Sequence, residues 1–330
     1  MKKFLFAAML FLWFLAPARA QVTHFFLETR AGYEGAAGQD YRKGQFNADY
    51  MNLVLEGNIG PSISYYWRQR FTKPLFNNNV PINATDLLYI NWDISDRWAL
   101  QGGKLPIIVG SFEYDDAPID LYYWNSFCNL LPEVYALGVG AWYNIAPDQQ
   151  LHLHFTQSPI DVGQPLLFHT GLAWLGGFTS WWKTIWTLNW ADDPNHLGAC
   201  WLALGNRVEA GPLALEMDLM YRHSLQRLMP AADLSGVAKL ELSVPYVKVF
   251  VKGGVDYNDP ANTTEDGLSW DPVIPAGTRY FYGGGGVEVF PLGNEDLRLH
   301  AVAWTDNDIR AVSWMLGATF RFRIIKPKNL

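Results

Sequence analysis

The sequence predicts an all-β fold, a transmembrane antiparallel β-barrel of about sixteen strands with short turns at one end and longer loops at the other. Three observations predict it. Apolar and polar residues alternate along most of the chain, short and long connections follow one another in turn, and the chain opens on an export signal.

The alternation is clearest over residues 312–324. Val312, Trp314, Leu316, Ala318, Phe320, Phe322 and Ile324 share one parity, and Ser313, Met315, Gly317, Thr319, Arg321 and Arg323 share the other. Successive strand residues face opposite sides, so this pattern gives one apolar face and one polar or small face. The same period recurs at Leu213–Tyr221, Ala238–Val244, Val247–Val251, Leu151–Phe155 and Leu88–Ile94. Runs of about ten residues suit a tilted strand crossing a bilayer. Periodicity alone does not say which face points outward, and a secreted β-sandwich would alternate too. No internal repeat of 20–50 residues points to a solenoid or propeller.

The connections supply the second observation. Short ones are expected at Gly60-Pro61, Ser95-Asp96, Pro147-Asp148, Gly176-Gly177, Gly211-Pro212, Val244-Pro245 and Gly293-Asn294. Between them lie longer or more polar segments near 35–44, 72–84, 110–133, 158–166, 223–235 and 258–278, with two shorter exceptions at 192–196 and 306–308. Tight periplasmic turns opposite longer external loops are the habit of outer-membrane barrels. An even strand number then returns both termini to the periplasm. The stretch 166–190 is the least regular, and its Trp174, Trp181, Trp182, Trp186 and Trp190 suit an interfacial aromatic girdle or a buried core equally.

Lys2 and Lys3, an apolar run from Phe4 to Ala16, Pro17 and then Ala18-Arg19-Ala20 form the three-part pattern of a secretory signal peptide. Residues 1–20 are therefore expected to be cleaved, leaving 21–330 as a single barrel domain in the outer membrane of a Gram-negative bacterium. Losing Lys2, Lys3 and Arg19 takes the formal net charge from −7 to −10, which gives no electrostatic reason to bind nucleic acid. Cys128 and Cys200 are too few to staple an exported fold, and the sequence leaves open whether they pair.

Charged residues on the polar faces are the candidates for function. Arg68/Arg70, Lys248/Lys252 and Arg321/Arg323 are spaced by two or four residues, so each pair shares one strand face. Facing lipid they would cost about 2–4 kcal/mol each near the midplane, so a lumenal position follows from the barrel reading. There they would line a pore or fill it with ion pairs. Residues 110–133 form the longest unpatterned segment of the mature chain, with Glu113, Asp115, Asp116 and Asp120 beside Tyr122, Tyr123, Trp124 and Phe127. A long loop rich in aromatics argues against disorder, and a loop folded into the lumen as a constriction is the leading account. Its acids match no calcium-loop spacing, and no metal or cofactor is expected. His152 and His154 share a strand face but lack an identifiable third ligand. Gly283–Gly286 lacks the Lys-Ser/Thr of a phosphate loop and is read as close strand approach.

The stretch from Trp98 to Tyr114, WALQGGKLPIIVGSFEY, resembles a signature of the phosphate-selective porin O and P family: a strand ending in Gly-Lys, apolar residues, then Gly, an aromatic and Glu at the start of a long loop. Tyr66-Trp67-Arg68-Gln69-Arg70 is similar to that family's second hairpin, and Asp115–Asp120 continues the loop in a similar way. The resemblance implies a sixteen-stranded porin, a homotrimer, a constriction loop following Lys104, and anion preference from basic residues lining the pore. Here those bases are interleaved with Glu216, Asp218, Glu241 and Glu288. That departs from an anion-specific lining.

The expected function is passive diffusion of small hydrophilic or anionic solutes and ions across the bilayer. Pore-lining candidates are Arg68, Arg70, Lys104, Lys248, Lys252, Arg321 and Arg323. Constriction candidates are Glu113, Asp115, Asp116, Asp120, Tyr122 and Tyr123. Two alternatives remain. One is a non-conducting barrel that anchors surface or periplasmic partners. The other is a barrel enzyme, for which Ser224, His223, Asn206 and Asp218 are present without a Gly-Xaa-Ser-Xaa-Gly motif.

Overall fold

A computed structural model describes residues 20–38, 42–74, 82–124, 127, 130–161, 166–195, 197–224 and 231–325. The signal segment, apart from Ala20, lies outside them, as does Cys128.

Sixteen antiparallel strands close into one barrel, each pairing with its sequence neighbours and β1(Ala20–Gly38) closing on β16(Ala311–Ile325). The rest are β2(Arg42–Ile59), β3(Ile63–Arg70), β4(Thr85–Asp93), β5(Trp98–Pro106), β6(Tyr135–Ala146), β7(Gln149–Gln157), β8(Phe168–Thr179), β9(Trp182–Ala191), β10(Ala199–Ala210), β11(Leu213–Ser224), β12(Asp233–Val244), β13(Val247–Asn258), β14(Arg279–Val289), β15(Leu297–Asp306) and, as named, β16. Closure leaves no unpaired edge, which is the condition for strands to cross hydrocarbon.

Polarity is inverted relative to a water-soluble protein. On β7, His152 and His154 are each 1% exposed, while Leu153 and Phe155 are 52% and 47% exposed. The same alternation runs along β11, where Ala214, Glu216 and Met220 are buried and Met217, Leu219 and Tyr221 face out. An apolar exterior with a polar interior settles the question that periodicity left open. A sandwich would hide Leu153 and wet His152.

Connections fall into the two expected sets, except that the longer one expected near 35–44 is mostly strand, with 35–38 in β1 and 42–44 in β2. At one end, turns such as 211–212 are two residues long, and Gly60 and Gly211 take φ of +70° and +61°, where a Cβ would be strained. One turn is corrected: β8 runs on through Gly176-Gly177 to Thr179, with a register shift there, and turns at Ser180-Trp181. Trp174, Phe178, Trp182 and Trp186 pack edge-to-face or tilted against one another around it at the barrel's outer edge. The Gly283–Gly286 run lies within β14, where a Cβ on Gly284 would run into the Ala303 carbonyl oxygen. That agrees with close strand approach.

At the other end the long connections fold inward. Phe127, Leu131, Ile160, Val273 and Ile274 pack with Trp201 and Met220 into a small apolar core. Arg222 ties it to the wall, with Nη2 2.5 Å from Asp233, Nε 2.7 Å from Asp271 and Nη1 donating to Ser235 at 2.6 Å. This core lies inside the wall formed by β10 and β11.

Candidate lumenal pathway and its constriction

The connection between β5 and β6 is the main occupant of the lumen. It leaves β5 past Gly110, whose φ of +105° and lack of a side chain let the backbone press on Thr187 of β9. The Val109 carbonyl accepts from Thr187 Oγ1 at 2.7 Å and from Trp201 Nε1 at 3.2 Å. A single helical turn, α1(Phe112–Asp115), follows, capped by the Ser111 hydroxyl accepting from the Tyr114 amide at 3.3 Å. Its Phe112 and Glu113 amides donate to Asp218 of β11 at 3.2 and 3.4 Å. Favouring a carboxylate at those free amides is ordinary helix-end electrostatics.

Beyond a 3-10 turn at Pro118–Asp120, the segment reaches the opposite wall. Arg30 of β1 donates to the Ile119 carbonyl at 2.9 Å and also to that of Leu121. Arg298 of β15 meets Asp120 at 2.6 Å. Tyr122 donates to Glu288 at 2.5 Å, and the Tyr123 hydroxyl donates to the Lys252 carbonyl at 3.0 Å. The segment is thus held by β1, β9, β10, β11, β13, β14 and β15, and divides the lumen.

Tyr122 lies where two cavities approach each other. On the long-loop side, a cavity of about 570 Å³ is bounded by Arg30, Asp49, Tyr50, Arg70, Trp304 and Tyr122. On the short-turn side, one of about 180 Å³ is bounded by Asp116, Lys239, Lys248, Lys252, Arg298 and, again, Tyr122. The ring stacks on Phe250 at 5.9 Å, with the guanidiniums of Arg30 and Arg298 over it at 5.3 and 6.0 Å.

Around the second cavity runs a belt of alternating charge. Lys183 lies 3.2 Å from Glu209, which Arg207 meets at 2.8 Å; Arg207 also pairs with Glu216. Lys239 sits 3.5 Å from Glu216 and 3.2 Å from Glu241. Lys248 follows, 3.7 Å from Glu241 and 3.6 Å from Glu288, and Arg298 closes the row 3.4 Å from Glu288. With Asp120 at its end, the belt alternates five cations with five carboxylates. Such a lining leaves little net field on a permeating ion.

Asp116 and Lys252 add one charge of each sign around the same cavity. The Asp116 carboxylate, 3.7 Å from Lys239, has a side chain 40% exposed to the lumen. Burial among protein atoms pushes its pKa up to about 6, against the pull of Lys239.

The candidate cations do not gather at one place. Lys248 belongs to the belt. Lys252 sits 3.5 Å from Glu113, over the Tyr123 ring at 4.3 Å. Arg68, Arg70 and Lys104 lie across the barrel on β3 and β5, with Arg68 and Arg70 sharing Asp86 at 3.5 and 2.7 Å. Arg321 pairs with Glu28 at 3.3 Å, and Arg323 with Asp296 at 2.7 Å. All six constriction candidates lie in the crossing segment, Asp115 at an exposed point of it and Glu113, Tyr122 and Tyr123 buried. Sequence reasoning missed Arg30, Arg207, Lys239 and Arg298. Their only signal was strand parity, since their partners lie on neighbouring strands.

His152 stacks on Trp142 at 3.8 Å, and His154 lies 4.8 Å from His169, all against the wall. Among the described residues, no group of three His, Cys, Asp or Glu side chains is placed to hold a metal ion. Ser224 donates to the Leu197 carbonyl at 2.6 Å, and Asp218 stands six residues away along β11, roughly 20 Å at strand rise. The four residues considered for catalysis therefore form no triad.

Residues 27–164 match the family described as Phosphate-selective porin O and P. No curated protein matches the chain. Among solved structures, the Salmonella typhi OmpF complex with daunomycin aligns over 92% of this chain and 97% of its own, with TM-score 0.65 and 10% identity. The anion-selective porin from Comamonas acidovorans aligns over 92% and 100%, with TM-score 0.64 and 8% identity. OmpT of Vibrio cholerae, in its trimer form, aligns over 92% and 99%, with TM-score 0.61 and 9% identity. At such identities the likeness is one of fold alone. The chain matches the phosphate-selective porin O and P family over residues 27–164 and has the sixteen-stranded porin fold along its described length.

Proposed function

We propose that this barrel is an outer-membrane porin through which small hydrophilic solutes and ions diffuse down their gradients, with the crossing segment as its constriction. The observation that carries this reading is the pair of charge-lined lumenal cavities approaching each other at Tyr122. A polar lumen inside an apolar wall has an evident use when water and solutes pass through it. The alternating belt supports weak ion selectivity rather than a strict anion filter. Lys252 and Lys248 remain the pore-lining cations best placed on this route. Arg30 and Arg298 brace the segment from the wall opposite its entry.

Assembly as a homotrimer is part of the proposal, supported by the trimer form of the OmpT structure to which the fold is similar. The test of the constriction is Tyr122→Ala. Proteoliposomes carrying the purified protein should take up a small neutral sugar, and the variant should take it up about twofold faster or more, because the bulk between the cavities is removed. Uptake by wild type no faster than by empty liposomes would count against the pore, and equal rates for both proteins would clear Tyr122 of the role.

A further inference from the structure

A third lumenal cavity, of about 320 Å³, lies between the first half of the crossing connection, residues 106–118, and the wall formed by β3 to β9. Ile107, Leu175 and Ile185 give it apolar sides, and the half-buried rings of Tyr89, Tyr114 and Trp142 complete them. Asp115, Leu175 and Ile185 also bound a wider cavity of about 550 Å³, which adjoins it from the short-turn end beside Pro147 and Asp148.

Two polar side chains on this wall carry atoms left without partners. Among the described residues, Oε1 of Gln101, a side chain in a residue 8% exposed, accepts no hydrogen bond, and neither ring nitrogen of His152, 1% exposed, has a partner. Strand register brings them together. Gln101 of β5 lies opposite Gly140 of β6, and His152 of β7 lies opposite Trp142, two residues along the same face of β6. Stacking on Trp142 at 3.8 Å fixes the imidazole plane. A Cβ at Gly140 would stand 2.7 Å from His152 Nε2 and 3.5 Å from Gln101 Oε1. The glycine therefore leaves a gap on which both unpartnered groups converge. Buried polar atoms in that condition are costly until water or a ligand satisfies them.

The groups left over select the ligand. An imidazole with one proton offers a donor and an acceptor, and the amide oxygen accepts. An anion would satisfy only the donor and a cation only the acceptors, whereas a hydroxyl satisfies both. Of the charged residues on the border, Arg68 is engaged by Asp86 at 3.5 Å and Asp116 by Lys239 at 3.7 Å, while Asp115 stands where the wider cavity begins. A mainly apolar cavity with a few converging polar atoms is the common form of a small-molecule site.

We propose that this cavity binds a neutral, ring-sized polyol such as a pyranose, with its hydroxyls on Gln101 and His152 and its C–H face against the aromatic and aliphatic wall. Gln101 and His152 border neither of the cavities that approach Tyr122, and binding here does not require the lumen to conduct.

The experiment is saturation-transfer NMR of D-glucose with the purified, folded protein in lauryldimethylamine oxide, a detergent without a sugar headgroup. Glucose should give a saturable signal with a dissociation constant in the millimolar range. Glucuronate and glucosamine, the same ring with a negative or a positive charge, should bind about fivefold more weakly or worse, because their charge enters an apolar cavity without a partner. Gln101→Met and His152→Phe keep the bulk and remove the polar atoms, and each should lower the affinity for glucose about fivefold or more. His154→Phe changes an equally buried imidazole that does not border the cavity, and its affinity should match wild type, which separates a lost hydrogen bond from a loosened wall. If His152→Phe fails to fold, Gln101→Met still decides. No saturable signal from glucose would mean that the cavity holds only water and would overturn the proposal. So would tighter binding of either charged ring, or an unchanged affinity in Gln101→Met.

Discussion

Asp116 is the side chain at which the lumen's charge balance can be tipped. Its neighbours are Lys239 at 3.7 Å, the carboxylate of Glu216 across Lys239, and Asp115 and Asp120 on its own segment. With a pKa of about 6 it is ionised at pH 7.5 and neutral at pH 5. Acidification removes a lumenal negative charge while the belt's cations stay charged. The channel's preference should therefore move toward anions as pH falls from 7.5 to 5, read as a shift in reversal potential under a salt gradient. Asp116→Asn should show the acid value throughout and lose the titration. The acids of this segment were legible as residue types clustered in an unpatterned stretch. The belt was not legible, because Lys239 acquires meaning only from the register that sets Glu216 opposite it, and a single chain does not display register.

At the scale of elements, the decisive feature is the connection between β5 and β6. Its location was readable from its length and its aromatics, and its match to a family signature began at Trp98. Its path was not, since Gly110, Ser111 and Asp218 declare their roles only once β9 and β11 are beside them. The neighbouring connection between β13 and β14 is held differently, through Asp271 on Arg222. Replacing Arg222 by Leu would leave Asp233 and Asp271 buried without their cation. That should cost about 3–5 kcal/mol, measured as a lowered urea midpoint of the folded barrel. A loss below 1 kcal/mol would mean that water reaches the pair. The displaced turn at Ser180-Trp181 shows the limit of reading glycines as punctuation. Gly176 and Gly177 sit inside β8, where tryptophan and phenylalanine side chains crowd the outer edge.

For the whole molecule, the apolar exterior and the polar, partly open interior are two consequences of one alternating pattern. The pattern was in the sequence, and its sense came from closure, which fixes which face is enclosed. Leu153 lies at the middle of β7 on the outer face, so Leu153→Arg should destabilise the barrel by about 2–4 kcal/mol in lipid, seen in reversible folding titrations. An unchanged folding free energy would mean that this face does not meet hydrocarbon.

Whether the lumen conducts is decided by single-channel recording of the purified protein in a planar bilayer. Stepwise openings with weak ion selectivity are expected, moved toward cations when Lys248 and Lys252 are both changed to Glu. A folded, heat-modifiable barrel that inserts and never opens would contradict conduction and leave anchoring of partners as the barrel's role.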